Sequence, residues 1–216
     1  MCGIFGYIGK ENAAHHLRKG LVKLSYRGYD SWGFGLKEGN DIKLIKEVGD
    51  IENADVKLES NAKIGIGHTR WATHGEVTER NCHPHLCSSG VAVIHNGIVE
   101  NADELKKELE GRHKFHSETD TEVIAHLIGD ELNAGTDFPE AVRKTFLKLK
   151  GRNAIVAMHK YFDGIVGIKS GSPLVVGIKG DEYFIGSDIQ AFAEETDKAI
   201  YLDDHEMVVL GSEHEN

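Results

Sequence analysis

The chain has 216 residues, 40% of them hydrophobic, with 25 Lys and Arg against 35 Asp and Glu and a formal net charge of −10. That length and apolar content suit one domain with a sizeable core, and the acidic balance argues against a nucleic-acid or membrane-surface protein, which needs a net basic face. No apolar run is long enough to cross a bilayer, the first residues lack a signal-peptide pattern, and three cysteines make no disulfide framework, so a cytoplasmic location is expected.

In chain order, "CGIFGYIG" (2–9) reads as a buried strand. "NAAHHLRKGLVKLSY" (12–26) puts Ala14, Leu17, Leu21 and Leu24 on one helical face. "SWGFGLK" and "DIKLIKEV" read as a strand pair joined by the turn "EGND" (38–41). "KIGIGHTR" (63–70) and "GVAVIHNG" (90–97) are further strands. Between them lies "WATHGEVTERNCHPHLCSS" (71–89), polar and rich in histidine, which reads as a long surface loop of the functional kind.

Helices fill the middle. "NADELKKELEG" starts at an Asn or Asp cap and stops at Gly111. "SETDTEVIAHLIGDELNAG" opens on Ser117 and Asp120, a capping-box-like spacing, and carries Val123, Ile124, Leu127, Ile128 and Leu132 on one stripe. "FPEAVRKTFLKLKG" has Pro139 in its first turn. After Gly151 come six strand-like runs, from "RNAIVAMH" to "EMVVLG". Strands and helices fall in blocks, which predicts an α+β fold of two mostly antiparallel sheets covered by helices.

Several residues could carry chemistry. If Met1 is removed, Cys2 gains a free α-amine, which titrates near ~8 beside a thiol near ~8.5 and can serve as its base. A small buried residue in the first strand is the plainer reading of Cys2. His95-Asn96-Gly97 ends an apolar strand; an Asn amide beside a Gly N–H makes a two-donor oxyanion hole, and Asn-Gly is also the commonest hairpin turn. Arg70 offers a bidentate carboxylate clamp beside Trp71 and Thr73, or is a surface arginine. Asp120 could pair with a substrate ammonium or simply cap a helix. His68, His74, Cys82, His83, His85, Cys87 and His95 supply more than enough zinc donors, but their spacing matches no paired zinc pattern. The early glycines lie within a strand and form no dinucleotide fingerprint, and no Walker A loop occurs.

Taken together, "MCGIFGYIG", "LSYRGYDS", "HTRWATHG", "HPH", "HNGIVEN", "SETDTEVIAHL", "SGSPLVVGI" and "GSDIQAF" resemble the glutaminase domain of the class II, or N-terminal-nucleophile, glutamine amidotransferases. "YRGYDS" and "HTRWATHG" are similar to the sugar-phosphate branch of that family, the glucosamine-6-phosphate synthases. The resemblance covers nearly the whole chain. It implies a four-layer αββα sandwich of two antiparallel sheets, the N-terminal nucleophile hydrolase fold, with residues 1–216 as one glutaminase domain. It implies glutamine hydrolysis through a Cys2 thioester, with the Cys2 α-amine as base and Asn96 and Gly97 as oxyanion hole. Arg70 would bind the glutamine α-carboxylate and Asp120 its α-ammonium. Trp71, Thr73, His74 and Gly75 would lie in a loop that closes over substrate, and Arg27 near the nucleophile would help order it.

No cofactor or metal is expected, and the partners expected are L-glutamine and an isomerase-type domain or subunit that would use the ammonia. The family's sugar-isomerase lobes are not in this sequence, which leaves an isolated domain, a stand-alone glutaminase or half of a split enzyme. Two other functions stay open: a zinc-binding interaction module on the His/Cys loop, and an inactive regulatory glutaminase fold. Trp32 and Cys82 stand where the family usually has alanine.

Overall fold

The computed structural model describes residues 2–54, 60–73 and 75–211. β1 (Gly3–Ile8), β2 (Ser31–Glu38), β3 (Asp41–Val48) and β4 (Ile64–Arg70) join β9 (Val175–Lys179), β10 (Glu182–Gly186) and β11 (Ala199–Tyr201) in a seven-stranded sheet, ordered β11-β9-β10-β1-β4-β2-β3. β5 (His85–Leu86), β6 (Val91–Gly97), β7 (Asn153–His159), β8 (Gly164–Ser170) and β12 (Met207–Gly211) form a five-stranded sheet, ordered β12-β8-β7-β6-β5. Every pair of neighbouring strands is antiparallel.

The period-2 alternation of each strand decides what lies between the sheets. Ile4, Ile66, Ile94, Val156, Ile165 and Ile185 meet there in one dry layer. Phe5, Tyr7 and Phe34 point the other way, toward α1 (Ala13–Lys23). That helix lays Ala14, Leu17 and Leu21 on them, with Leu24 just beyond its end, all fully buried. Each such leucine contributes about 1.5–3 kcal/mol by leaving water. Gly20 allows the close approach, since a Cβ there would sit 2.6 Å from the Phe5 ring. On the far side, α2 (Ala102–Leu109), α3 (Glu122–Asn133) and α4 (Phe138–Lys148) cover Val91, Val93, Ile155 and Val166. The result is the expected αββα sandwich. No helix among the described residues is long and apolar enough to cross a membrane.

Two local expectations need correction. The 71–89 segment is no simple surface loop. It contains a 3₁₀ turn at Glu79–Asn81 and the short β5, and Asn81, Cys82, His83, His85 and Cys87 are buried. Ser117 does not open α3, which begins at Glu122. The Ser117 N–H and hydroxyl instead both donate to Glu122 Oε2, each at 2.7 Å, so that the Glu122 carboxylate pins the preceding loop. Asp120 does not cap α3 either: the N-cap position is Thr121, and the Asp120 carboxylate takes the Val99 N–H. Trp32 lies in the core under α1, its ring 5.1 Å from that of Phe34.

Candidate active site

Antiparallel pairing assembles the site from strand ends. Gly3 pairs with Thr69, so Cys2 stands beside Arg70 and Trp71 at one end of the first sheet. Cys2 Sγ accepts a hydrogen bond from the Trp71 N–H at 3.2 Å and lies 3.5 Å from the Trp71 carbonyl, to which the thiol donates. From the second sheet, Asn96 Nδ2 donates to the Cys2 carbonyl at 2.9 Å. Gly97 ends β6 opposite Asn153 and adopts φ +130°. Alternate residues of an antiparallel strand turn their peptide groups to opposite sides. Gly90 O takes the Lys160 N–H, which sets the even residues toward β7, so the Gly97 N–H faces away from β7. The HNG segment is therefore no hairpin turn; it ends β6, with the Asn96 amide on the Cys2 carbonyl and the Gly97 N–H turned away from β7.

A small cavity of about 30 Å³ lies between these groups, lined by Cys2, Arg70, Trp71, Thr73, Gly97 and Asp120. That is room for a water or two and too little for an amino acid. Arg70 is buried, and its guanidinium donates to the carbonyls of Glu76 at 2.9 Å and Gly75 at 3.2 Å. Asp30 Oδ2 takes the Ala72 N–H at 2.9 Å. Asn81 Nδ2 donates to Glu76 O and to Glu118 Oε2, both at 3.0 Å. The loop is thus held shut by polar bonds rather than by an apolar core. Asp120 Oδ2 accepts the Val99 N–H at 2.7 Å, which fixes this carboxylate at the cavity wall. Gly75 braces the loop and does not line the cavity. Arg27 also stands outside the lining: its guanidinium pairs with Asp188 at 2.8 Å, and Tyr26 donates to the same oxygen. His74 lies outside the described residues.

Four more lining residues were not expected in this role: His83, His95, Thr119 and Thr121. By spacing alone the sequence offers the two histidines only as zinc donors. His68 stacks on His83 at 4.1 Å, and His83 meets His85 edge-on at 4.8 Å. His85 Nε2 bonds Thr119 Oγ1 at 3.0 Å. Cys82 donates to Thr78 O at 3.3 Å, while Cys87 packs into the helical core. Among the described residues, no group of three His, Cys, Asp or Glu side chains is placed to hold a metal. A larger open groove, of about 1100 Å³, lies at the opposite end of the sheets beside Lys37, Lys63 and Asp163, and no cysteine or histidine is among its described lining residues.

Burial dominates the electrostatics. It pushes the Cys2 thiol above its ordinary range, against the opposing pull of the Trp71 N–H. Burial likewise lowers His83, His85 and His95, and it brings His68 down to about 3. These four rings stay neutral in the folded state, whereas in the unfolded chain they take up protons below ~6.5. The stability they permit is complete above ~6.5 and is lost progressively as pH falls toward 3. Each ring costs up to about 1.4 kcal/mol per pH unit in that window. The urea midpoint should therefore drop steeply between pH 7.5 and pH 5.5; equal midpoints would contradict a neutral buried layer.

The comparisons with known proteins agree with this geometry. Residues 68–194 match the model of a glutamine amidotransferase domain, which is more than half of the chain. The chain belongs to the glutamine amidotransferase domain family. Curated relatives carry the name glutamine–fructose-6-phosphate aminotransferase (isomerizing). The one from Methanococcus maripaludis is 46% identical over all of this chain and 38% of its own length. The one from Streptomyces coelicolor is 45% identical over 97% of this chain and 35% of its own length. The chain thus spans little more than a third of these relatives. Among solved structures, the glutamine phosphoribosylpyrophosphate amidotransferase from B. subtilis superposes with a TM-score of 0.83 at 30% identity, over 98% of this chain and 48% of that one. A predicted glutamine amidotransferase from Pseudomonas aeruginosa shares the fold, with a TM-score of 0.59 at 15% identity.

Proposed function

We propose that this amidotransferase domain hydrolyses L-glutamine to glutamate and ammonia. The observation that carries the reading is the small cavity lined by Cys2 and Gly97, with the Asn96 amide donating to the Cys2 carbonyl beside it. Among the described residues the thiol has no imidazole or carboxylate bonded to it; its hydrogen bonds there go to the Trp71 backbone. Both ring nitrogens of His95, and Nδ1 of His83, are committed elsewhere. That supports the α-amine of Cys2, freed by loss of Met1, as the base.

The steps balance as follows. The amine takes the thiol proton, and Sγ attacks the glutamine side-chain carbonyl carbon. The resulting oxyanion accepts from Asn96 Nδ2 and the Gly97 N–H. The ammonium returns its proton to the departing nitrogen, which leaves as ammonia, and a γ-glutamyl thioester remains. Water, deprotonated by the same amine, attacks the thioester; the thiol is regenerated and glutamate leaves. Asp120 would hold the substrate ammonium and Arg70 the substrate carboxylate. Arg70 would then exchange its loop carbonyls for substrate, which links binding to movement of the loop. The relatives are named glutamine–fructose-6-phosphate aminotransferases (isomerizing), which supports fructose 6-phosphate as the acceptor of the ammonia, held on an isomerase-type domain or subunit.

Glutamate release from glutamine by the purified chain with Cys2 as its first residue tests the reading; no release would refute it. Asp120→Asn should raise KM by the equivalent of about 2–5 kcal/mol, the cost of unpairing a desolvated charge, while kcat changes far less. An unchanged KM would remove Asp120 from the binding site. Arg70→Ala is the less clean variant, because it also frees the loop.

A further inference from the structure

The strand that ends in Asn96 and Gly97 outruns its neighbour. β5 pairs only with Val93 and Ala92 of β6, and the next carbonyl on that side, Val91 O, takes the Cys87 N–H. The odd residues of β6 turn their peptide groups to this side. At His95 the partner strand is gone, yet His95 is only 3% exposed. A buried peptide group left unpaired costs about 1–3 kcal/mol.

Two imidazoles stand where the strand is missing. The His95 N–H donates to His83 Nδ1 at 3.3 Å. His68, reaching across from the first sheet, bonds the His95 carbonyl through Nε2 at 3.1 Å. The His95 ring is fixed as well, with Nε2 2.9 Å from Asn153 Oδ1 and Nδ1 3.0 Å from Thr121 Oγ1. A carbonyl only accepts, so His68 carries its proton on Nε2; a backbone N–H only donates, so His83 Nδ1 is bare. The next two residues are the proposed oxyanion donors.

We propose that His83 and His68 are positioning residues, which replace the absent strand and fix where the Asn96 amide and the Gly97 N–H stand relative to Cys2. This rests on the glutaminase reading. Neither ring needs to touch the reacting atoms; His83 acts through the backbone of His95, and His68 through that backbone and its place beside the Asn96 side chain. Misplacing a reacting group by an ångström costs up to about 10²-fold in rate.

The test uses variants that keep or remove the single hydrogen-bonding atom. His83→Asn keeps an acceptor in the place of Nδ1, and His83→Leu removes it. His68→Gln keeps a donor in the place of Nε2, and His68→Leu removes it. The leucine variants should lower kcat by about 10- to 100-fold with KM within about 3-fold of wild type. The amide variants should recover most of that loss. Alkylation of Cys2 by iodoacetamide, which attacks at a saturated carbon and needs no oxyanion hole, should proceed at the wild-type rate in all four. Leucine variants with unchanged kcat, a loss confined to KM, or amide variants as impaired as the leucine ones would overturn the inference. If His83→Leu does not fold, the His68 pair decides by the same criteria. A wild-type chain that releases no glutamate refutes the glutaminase reading and this inference with it, whereas an active wild type with unaffected leucine variants refutes the positioning role alone.

Discussion

Replacement of Cys2 by alanine should lower glutamate release by on the order of 10⁴–10⁶-fold, the scale seen when a covalent nucleophile is deleted. The geometry offers no substitute. Cys82 and Cys87 are buried, and both thiols are pushed up by burial. Cys2→Ser should fare little better, because a hydroxyl beside a base of pKa ~8 is far less ionised than a thiol. A chain that keeps Met1 should also be inactive, since a peptide nitrogen at Cys2 cannot accept the thiol proton. Full activity with Met1 retained would defeat the mechanism, as would a Cys2→Ala variant that still turns over.

Asn96→Ala should lower kcat by about 10²–10³-fold and leave KM nearly unchanged, because its amide meets the oxyanion only in the transition state. An effect confined to KM would show that Asn96 binds substrate instead. Gly97→Ala should be more severe. Its Cβ would fall 1.9 Å from the Arg152 carbonyl, and φ +130° is a conformation that L side chains rarely adopt. Relief requires β6 to move away from the start of β7, which carries the Gly97 N–H with it. Both activity and thermal stability should fall for Gly97→Ala, whereas Asn96→Ala should mainly lose activity.

Local pattern was enough wherever a residue's neighbours lie close in sequence. The turn "EGND" sets Glu38 opposite Asp41 and so registers the whole β2–β3 hairpin. The i, i+3, i+4 spacing of Ala14, Leu17 and Leu21 states the buried face of α1. Pattern failed where polar side chains are satisfied by distant partners. Asn81, His83 and His85 look like loop residues because they are polar, yet Glu118, the His95 N–H and Thr119 make them burial-competent. Asn81, His83 and His85 meet those partners only once the two sheets and the α3 loop are in place. Ser117 and Asp120 read as a cap for the same reason: nothing local shows that Glu122 and the Val99 N–H claim them. Residue chemistry alone offers Cys2, Arg70 and Asn96 as candidates beside plainer readings, the family resemblance chooses between them, and it is the β1–β4 pairing and the stacking of the two sheets that bring them together.

The central claim is that Cys2 attacks a glutamine-shaped electrophile by means of its own α-amine. The most direct measurement is mass spectrometry of the protein after incubation with 6-diazo-5-oxo-L-norleucine, with and without excess glutamine. The account predicts one adduct per chain, formed with loss of dinitrogen, on the N-terminal peptide at Cys2, suppressed by glutamine and absent from Asp120→Asn at low reagent concentration. No adduct, an adduct on Cys82 or Cys87, or equal labelling of a chain that retains Met1 would contradict it.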